Sequence, residues 1–83
     1  MPLFMEVHDN LLAVSPESIA AMHQRAVAVQ GKHGVKHLRY WLNVEPGRMY
    51  CLVEGPSKEA IYAVRYEARG VLPSVIYEVE EHT

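Results

Sequence analysis

The sequence has only one cysteine, Cys51, among its 83 residues, so an internal disulfide is excluded. A chain without a disulfide framework is typical of a reducing compartment, and we expect a cytoplasmic protein. No apolar run approaches the roughly 20 residues that a membrane-spanning helix needs, and the first residues do not resemble a signal peptide. These absences predict a protein that does not associate with a membrane.

The sequence also lacks a large excess of charge, because its formal net charge is −2. Its lysines and arginines are scattered, so no basic patch of the kind that binds nucleic acid is present. The short motifs of catalysis are missing as well: there is no G-x-S-x-G, phosphate loop, Ser-His-Asp order or pair of catalytic carboxylates. The residues therefore predict no nucleic-acid partner and identify no catalytic group.

What the chain does have is the composition of one small globular domain covering residues 1–83. Hydrophobic residues make up 49% and charged residues 22%, both ordinary values. A chain of this length has no room for a second core. A domain this small buries only about 60–65% of the surface of its unfolded chain, and dimerisation is a natural remedy. We therefore expect a homodimer.

The turn signals and apolar patterns predict the element order βαββαβ. The predicted strands are 3–8, 35–44, 48–54 and 74–79. Ser15 and Ser57 are suited to cap the starts of the two helices, and Gly31 and Gly70 are suited to end them. This order is typical of the ferredoxin-like α+β fold, a four-stranded antiparallel sheet with the first and third strands in the middle and two helices on one face.

Two sets of side chains alternate along the second strand, and the alternation predicts which set faces the helices. The apolar set is expected on the helix side and comprises Leu38, Tyr40 and Leu42. The other set is expected on the open face and comprises His37, Arg39 and Trp41. In the first strand, Glu6 and His8 share a face. An uncovered sheet face that carries a tryptophan predicts a dimer interface. The rest of the predicted core is Ile19, Met22, Val29, Ile61, Val64 and Ile76.

Five histidines are many for a chain of this length. Imidazole is a common neutral ligand for nickel, copper and zinc. Only His33 and His37 have H-x-x-x-H spacing, and Gly34 between them argues against a shared helix, so a metal site would combine different elements or two subunits. His23 is the best single candidate because it follows Ile19 by four residues on the apolar stripe of the first helix. Each histidine alone is also explained as an ordinary core or surface residue.

Arg65 and Cys51 are both expected in apolar surroundings. Arg65 lies on the apolar stripe of the second helix, where an unpaired charge is costly. Its side chain either reaches solvent at the helix edge or meets a partner such as Glu6, Glu67 or a bound anion. Cys51 is interpreted as a small buried apolar residue. The carboxylate of Glu6 on a neighbouring strand would raise the thiol pKa, which argues against a nucleophile.

Several short segments occur together in a specific order: FMEVH at 4–8, QGK at 30–32, LRYW at 38–41, CLVE at 51–54, PSKEA at 56–60 and IYEV at 76–79. With His23, they resemble a family of small bacterial ferredoxin-like proteins of unknown function that contains a nickel-binding member. The resemblance implies a cytoplasmic homodimer and, in some members, nickel binding through histidines. On this basis we expect His8 and His23, with Glu6, to bind nickel or another divalent transition metal.

The chain departs from that family at the end of the second helix. Related sequences commonly carry V-H-x-E-A-H-G there, whereas this chain has VRYEARG at 64–70, with Arg65 and Arg69 in place of both histidines. Arginine stays protonated and is not an ordinary metal ligand. We therefore expect metal binding to be weak, or the two arginines to hold a small anionic ligand instead.

Two other functions are compatible with the sequence. In an enzyme or small-ligand binder of the dimeric α+β barrel type, the open faces of two sheets enclose a pocket, which His37, Trp41 and Tyr50 would line. A regulatory interaction module would use the same surface without chemistry. A metal-dependent rise in melting temperature would favour the metal site, and a ligand retained through purification would favour the pocket.

Overall fold

A computed structural model describes residues 1–11 and 14–83, and its elements follow the order predicted from the sequence. The strands are β1 (Leu3–His8), β2 (Lys36–Asn43), β3 (Arg48–Glu54) and β4 (Val75–Val79). The helices are α1 (Pro16–Gln30) and α2 (Lys58–Glu67), and a 3₁₀ turn (Gly31–His33) follows α1. Each strand boundary lies within one residue of its predicted position. No helix in the described part of the chain combines the length and apolar character that crossing a membrane requires.

The four strands form one antiparallel sheet in the order β2-β3-β1-β4. The first and third strands are therefore central, which confirms the predicted ferredoxin-like α+β fold. In β1 the residues alternate strictly between half-buried and buried, and the buried set is Phe4, Glu6 and His8. Glu6 lies between Cys51 of β3 and Ile76 of β4 in the sheet register. Glu6 is consequently enclosed by a strand on each side.

Both helices start at the predicted serines. The Ser15 hydroxyl accepts the backbone N–H of Ser18, and the Ser18 hydroxyl accepts the backbone N–H of Ser15, so the two form a reciprocal capping box. Ser57 caps α2 in the simpler way, by accepting the N–H of Ala60. These caps satisfy N–H groups that have no partner within the helix.

The end of α1 agrees with the prediction, because Gly31 is its C-cap, whereas the end of α2 differs. After α1 the chain continues through Gly31 as a 3₁₀ turn and reverses at Gly34, which has a φ of 70°. After α2 the left-handed residue is Arg69, with a φ of 56°, and not Gly70. The Gly70 N–H donates to the Arg65 carbonyl at 2.9 Å and the Arg69 N–H to that of Tyr66 at 3.1 Å. This is the bonding of a Schellman motif, whose geometry requires the left-handed residue one position earlier than predicted.

A β-bulge in β2 overturns part of the predicted facing. His37 pairs with Val53 and Arg39 with Leu52, so Leu38 is an extra residue without a partner. The bulge reverses the alternation, because His37 turns toward the helices and is 8% exposed while Leu38 is 39% exposed. The predictions for His37 and Leu38 were therefore wrong. Beyond the bulge, Tyr40 and Leu42 pack against the core as predicted.

The core lies between the sheet and the two helices. Its buried members include Ile19, Met22 and Ala26 of α1 and Ile61 and Val64 of α2. Val29 is partly buried and packs against this cluster. Apart from Leu38, every residue predicted for the core is either buried or packed against it.

The opposite face of the sheet is not covered by a helix and carries apolar side chains. Two cross-strand rows run across it: Trp41, Tyr50, Val7 and Val75 in one, and Arg39, Leu52, Met5 and Tyr77 in the next. At the two ends of these rows, Trp41 is 47% and Tyr77 is 55% exposed. The two rows are called the open face below.

Candidate metal site

A carboxylate, Glu6, lies at the centre of a polar cluster in the core. Its position in the middle of β1 leaves its side chain fully buried beneath the helices. A buried charge is unfavourable unless it is paired and hydrogen-bonded. The neighbouring elements supply these partners, namely His8 from β1 itself, His37 from β2 and Arg65 from α2.

Arg65 forms a buried, forked ion pair with Glu6. Its Nε lies 2.9 Å from Oε2 and 3.3 Å from Oε1, and its Nη2 lies 3.1 Å from Oε1. Of the alternatives that the sequence allowed, the partner is therefore Glu6, and the side chain does not reach solvent. Burial would raise the pKa of Glu6, but hydrogen bonds from His37 and His8 and the charge of Arg65 hold that pKa well below its usual range.

His8 contacts Glu6 through one of its two ring nitrogens. Its Nε2 lies 3.1 Å from Glu6 Oε2, and its buried Nδ1 has no hydrogen-bond partner among the residues that the structure describes. Because the carboxylate can only accept, the neutral ring carries its proton on Nε2 and keeps a lone pair on Nδ1. A metal shared by Glu6 and His8 would therefore bind Nε2 in place of this hydrogen bond, because Nδ1 faces away from Glu6.

His37 is fixed on both sides by oxygen atoms. Its Nε2 lies 3.3 Å from Glu6 Oε1, and its Nδ1 lies 2.9 Å from Gln30 Oε1. The same Gln30 oxygen accepts the backbone N–H of His37 at 2.9 Å, which identifies this atom as the oxygen of the amide. The last residue of α1 thereby anchors the bulged strand and orients the imidazole toward Glu6.

Cys51 lies directly across from Glu6 in the sheet and contacts Arg65. The distance from Arg65 Nη2 to Cys51 Sγ is 3.3 Å. Burial and the charge of Glu6 raise the pKa of the Cys51 thiol to about 12, although Arg65 acts in the opposite direction. The thiol is therefore protonated at neutral pH, and Glu6 raises its pKa as the sequence predicted.

Three of these residues offer ligand atoms at distances that suit one metal ion. One atom each from Glu6, His8 and Cys51 lie within 4.8 Å of one another, and all three residues are buried. Carboxylate, imidazole and thiolate together suit nickel, copper or zinc better than calcium or magnesium, which prefer oxygen ligands. The donor set fits a transition metal, on the condition that Cys51 loses its proton when it binds.

The structure brings Glu6 and His8 together but leaves His23 outside this group. The His23 ring lies beside two other rings, with centroid distances of 6.0 Å to His37 and 4.9 Å to Tyr40. Partial burial and the nearby charges of His37 and Arg65 lower the pKa of His23. His23 therefore remains neutral at neutral pH and lies next to the cluster.

The other predicted binding residues do not meet in one place. Trp41 and Tyr50 are neighbours on the open face, whereas His37 lies on the helix side, so the predicted pocket of these three residues is wrong. The bulge in β2 is the reason. Arg65 is paired with Glu6, and exposed Arg69 lines a surface groove with Tyr66 and Leu72. The two arginines thus do not enclose an anion together.

Sequence reasoning missed two residues of the cluster. Cys51 was interpreted only as a core residue, although the alternation of β3 places it on the same face as Glu6. That shared face was the signal that could have identified it. Gln30 gave no local signal, because its role depends on where the end of α1 meets β2.

Comparisons with known proteins agree with this architecture. Residues 4–79 match the family model described as "Nickel responsive protein SCO4226-like". Among solved structures, the chain is similar to SCO4226 from Streptomyces coelicolor A3(2), with 32% sequence identity and a TM-score of 0.90 over 98% of this chain and 99% of that one. No curated protein matches. The match over residues 4–79 and the similarity over nearly the whole chain lead to one conclusion: this protein belongs to the SCO4226-like family of nickel responsive proteins.

Proposed function

We propose that this protein binds a divalent transition metal, nickel in the first place, at the buried cluster of Glu6, His8 and Cys51. The observation that carries the proposal is the convergence of these three donor side chains within 4.8 Å beneath the helices. The bound metal would supply a Lewis-acidic centre that these side chains hold and shield from water.

Nickel is proposed because of the family name and because of the donor atoms. The family is described as nickel responsive, and the chain matches its model over residues 4–79. Nitrogen and sulfur donors bind nickel and copper more tightly than manganese. We therefore expect affinity to rise from manganese to nickel and copper, and we expect binding of the metal to displace the thiol proton of Cys51.

Calorimetric titration of the untagged protein with nickel tests the proposal. His8→Ala and Cys51→Ser should each weaken binding strongly, because each removes a donor atom. His23→Ala distinguishes this site from the set of His8, His23 and Glu6 expected from the sequence, because it should weaken binding only if His23 is also a ligand. Affinity should also fall as the pH drops through about 6.5, where free imidazole becomes protonated. Equal binding by wild type and His8→Ala would refute the proposed site.

We further propose that the protein is a homodimer in which the open faces of two subunits pack against each other. The open face of this small chain exposes Trp41 and Tyr77 at opposite ends of its apolar rows. Contiguous apolar surface of this kind is typical of interfaces. A second copy is the occupant proposed because Lys36 and Glu54, paired in the adjoining row, supply both signs of charge at one edge. In a two-fold contact, the Lys36 of each subunit would then be able to face the Glu54 of the other.

A further inference from the structure

We infer that Arg65 is a built-in competitor for the metal: its guanidinium holds the same carboxylate and sulfur that the ion would bind, so the ion pair and the bound metal exclude each other. This role of Arg65 rests on the proposed function. It adds a residue that sets the affinity of the site without being a ligand.

The contacts of Arg65 cover two of the three donor residues. Both carboxylate oxygens of Glu6 lie within 3.3 Å of its Nε, and its Nη2 lies 3.3 Å from Cys51 Sγ. Arg65 is almost fully buried, so its guanidinium is shielded from bulk solvent.

Charge and chemistry both prevent shared occupation. A divalent ion bound to Glu6 and Cys51 would lie a few ångströms from the guanidinium, where like charges repel strongly because little water screens them. Arginine has no lone pair and stays protonated, so it cannot become a ligand. Metal binding therefore requires the side chain of Arg65 to leave Glu6, and the ion then compensates the carboxylate in its place. The metal concentration at which the site fills is set by this exchange.

A purely structural counterion would behave differently. If Arg65 only stabilised the fold around Glu6, removing its charge would loosen the site and weaken metal binding. If Arg65 is a competitor, the change in metal affinity has the opposite sign. Removing its charge then makes the metal-free protein less stable but strengthens metal binding. The direction of the change in affinity thus separates the two roles.

The test compares nickel binding to wild type, Arg65→Gln and Arg65→Lys by calorimetry, with folding verified by circular dichroism. Arg65→Gln removes the charge and should lower Kd about tenfold or more, whereas Arg65→Lys keeps the charge and should leave Kd close to that of wild type. Lys58→Gln is the matched control, because it removes one exposed positive charge from the opposite end of the same helix. A folded Arg65→Gln protein that binds nickel equally well or more weakly would overturn the inference.

A second measurement on the wild-type protein covers the case in which Arg65→Gln does not fold. The Nε–H signals of arginine are observed by NMR while diamagnetic Zn²⁺ is added, and Arg65→Lys assigns the signal of Arg65. Saturating zinc should shift or broaden that signal and leave the signal of Arg39 unchanged. An unchanged Arg65 signal would overturn the inference. Binding that does not depend on His8 would refute the proposed site, whereas binding that depends on His8 but not on Arg65 would refute only the competitor role.

Discussion

At the scale of single residues, the most consequential feature is an ion pair in the core of a small domain. Glu6 and Arg65 are each less than 2% exposed, and they contact each other through three donor–acceptor distances. The desolvation of two such charges is compensated only while both are present. This pair therefore adds less to stability than apolar residues of similar volume would, yet it makes each partner indispensable to the other.

Glu6→Gln should destabilise the protein by about 3–5 kcal/mol, because it leaves the Arg65 charge buried without compensation. The double substitution Glu6→Leu with Arg65→Met should cost less than Glu6→Gln alone, since it removes both charges. Urea unfolding at pH 7 measures both effects. Glu59→Gln, at an exposed position of α2, is the control and should change the free energy of unfolding by less than about 0.5 kcal/mol. Near-equal values for Glu6→Gln and Glu59→Gln would contradict the buried pair.

The pKa shifts of Glu6 and His23 predict two stages of acid destabilisation. The folded protein keeps His23 neutral, so stability should fall as the pH drops below about 6.5, where the unfolded chain takes up the proton. The lowered pKa of Glu6 contributes stability that is present above about 4.5 and lost as the pH falls further. Denaturant midpoints measured from pH 8 to pH 3 test this. Glu6→Gln should reduce the loss of stability below about pH 4.5, and His23→Gln should reduce the loss below about pH 6.5. If the pH profiles of both variants ran parallel to that of wild type, the assignment of the two stages would be contradicted.

At the scale of secondary structure elements, the bulge in β2 decides which residues reach the cluster. One extra residue, Leu38, turns His37 toward Glu6 and turns Leu38 itself toward solvent. Gln30 at the end of α1 bonds the backbone at this point, so helix and strand are fixed to each other where the alternation changes.

Leu38→Ala should cost about 1 kcal/mol or less, because Leu38 is 39% exposed and lies outside the core cluster. Ile61→Ala should cost about 2–5 kcal/mol, because Ile61 is fully buried and its truncation leaves a cavity. Thermal or urea unfolding of the two variants side by side makes the comparison. If Leu38→Ala proved the more costly of the two, Leu38 would face the helices and the bulge would be misplaced.

At the scale of the whole molecule, the sheet separates two surfaces with different roles. The helix side encloses the polar cluster, whereas the open face presents two mostly apolar rows, with Trp41 and Tyr77 exposed at opposite edges of the sheet. The proposed metal site and the proposed dimer contact therefore lie on opposite sides of one sheet. We expect that substitutions on one side can be tested without disturbing the other.

Light scattering of the wild-type protein at tens of micromolar should give about twice the mass of the 9.4 kDa chain, as a homodimer requires. Trp41→Glu should shift the mass toward the monomer, because it introduces a charge into the apolar contact. Tyr66→Glu is the matched control, since Tyr66 is 80% exposed on α2 and away from the open face. A wild-type monomer, or equal effects of both substitutions, would refute the proposed interface.

The sequence by itself determined the element order, the strand boundaries to within one residue and both helix starts. These features depend on local signals, namely serine caps, glycine and proline turns, and apolar periodicity, which act within a few residues of one another. Local alternation also placed Glu6 and His8 on one face of β1, because nothing interrupts that strand. A resemblance in several short segments identified the family.

Only the tertiary structure decided the composition of the cluster. The bulge at Leu38 depends on how β2 pairs with β3 and on the bond from Gln30, so alternation alone assigned His37 to the wrong face. The choice of Glu6 as the partner of Arg65, and the position of Cys51 beside both, required a helix and two strands far apart in sequence to be packed together. Strand pairing and the burial of a charge are settled by partners distant along the chain, and no local pattern encodes them.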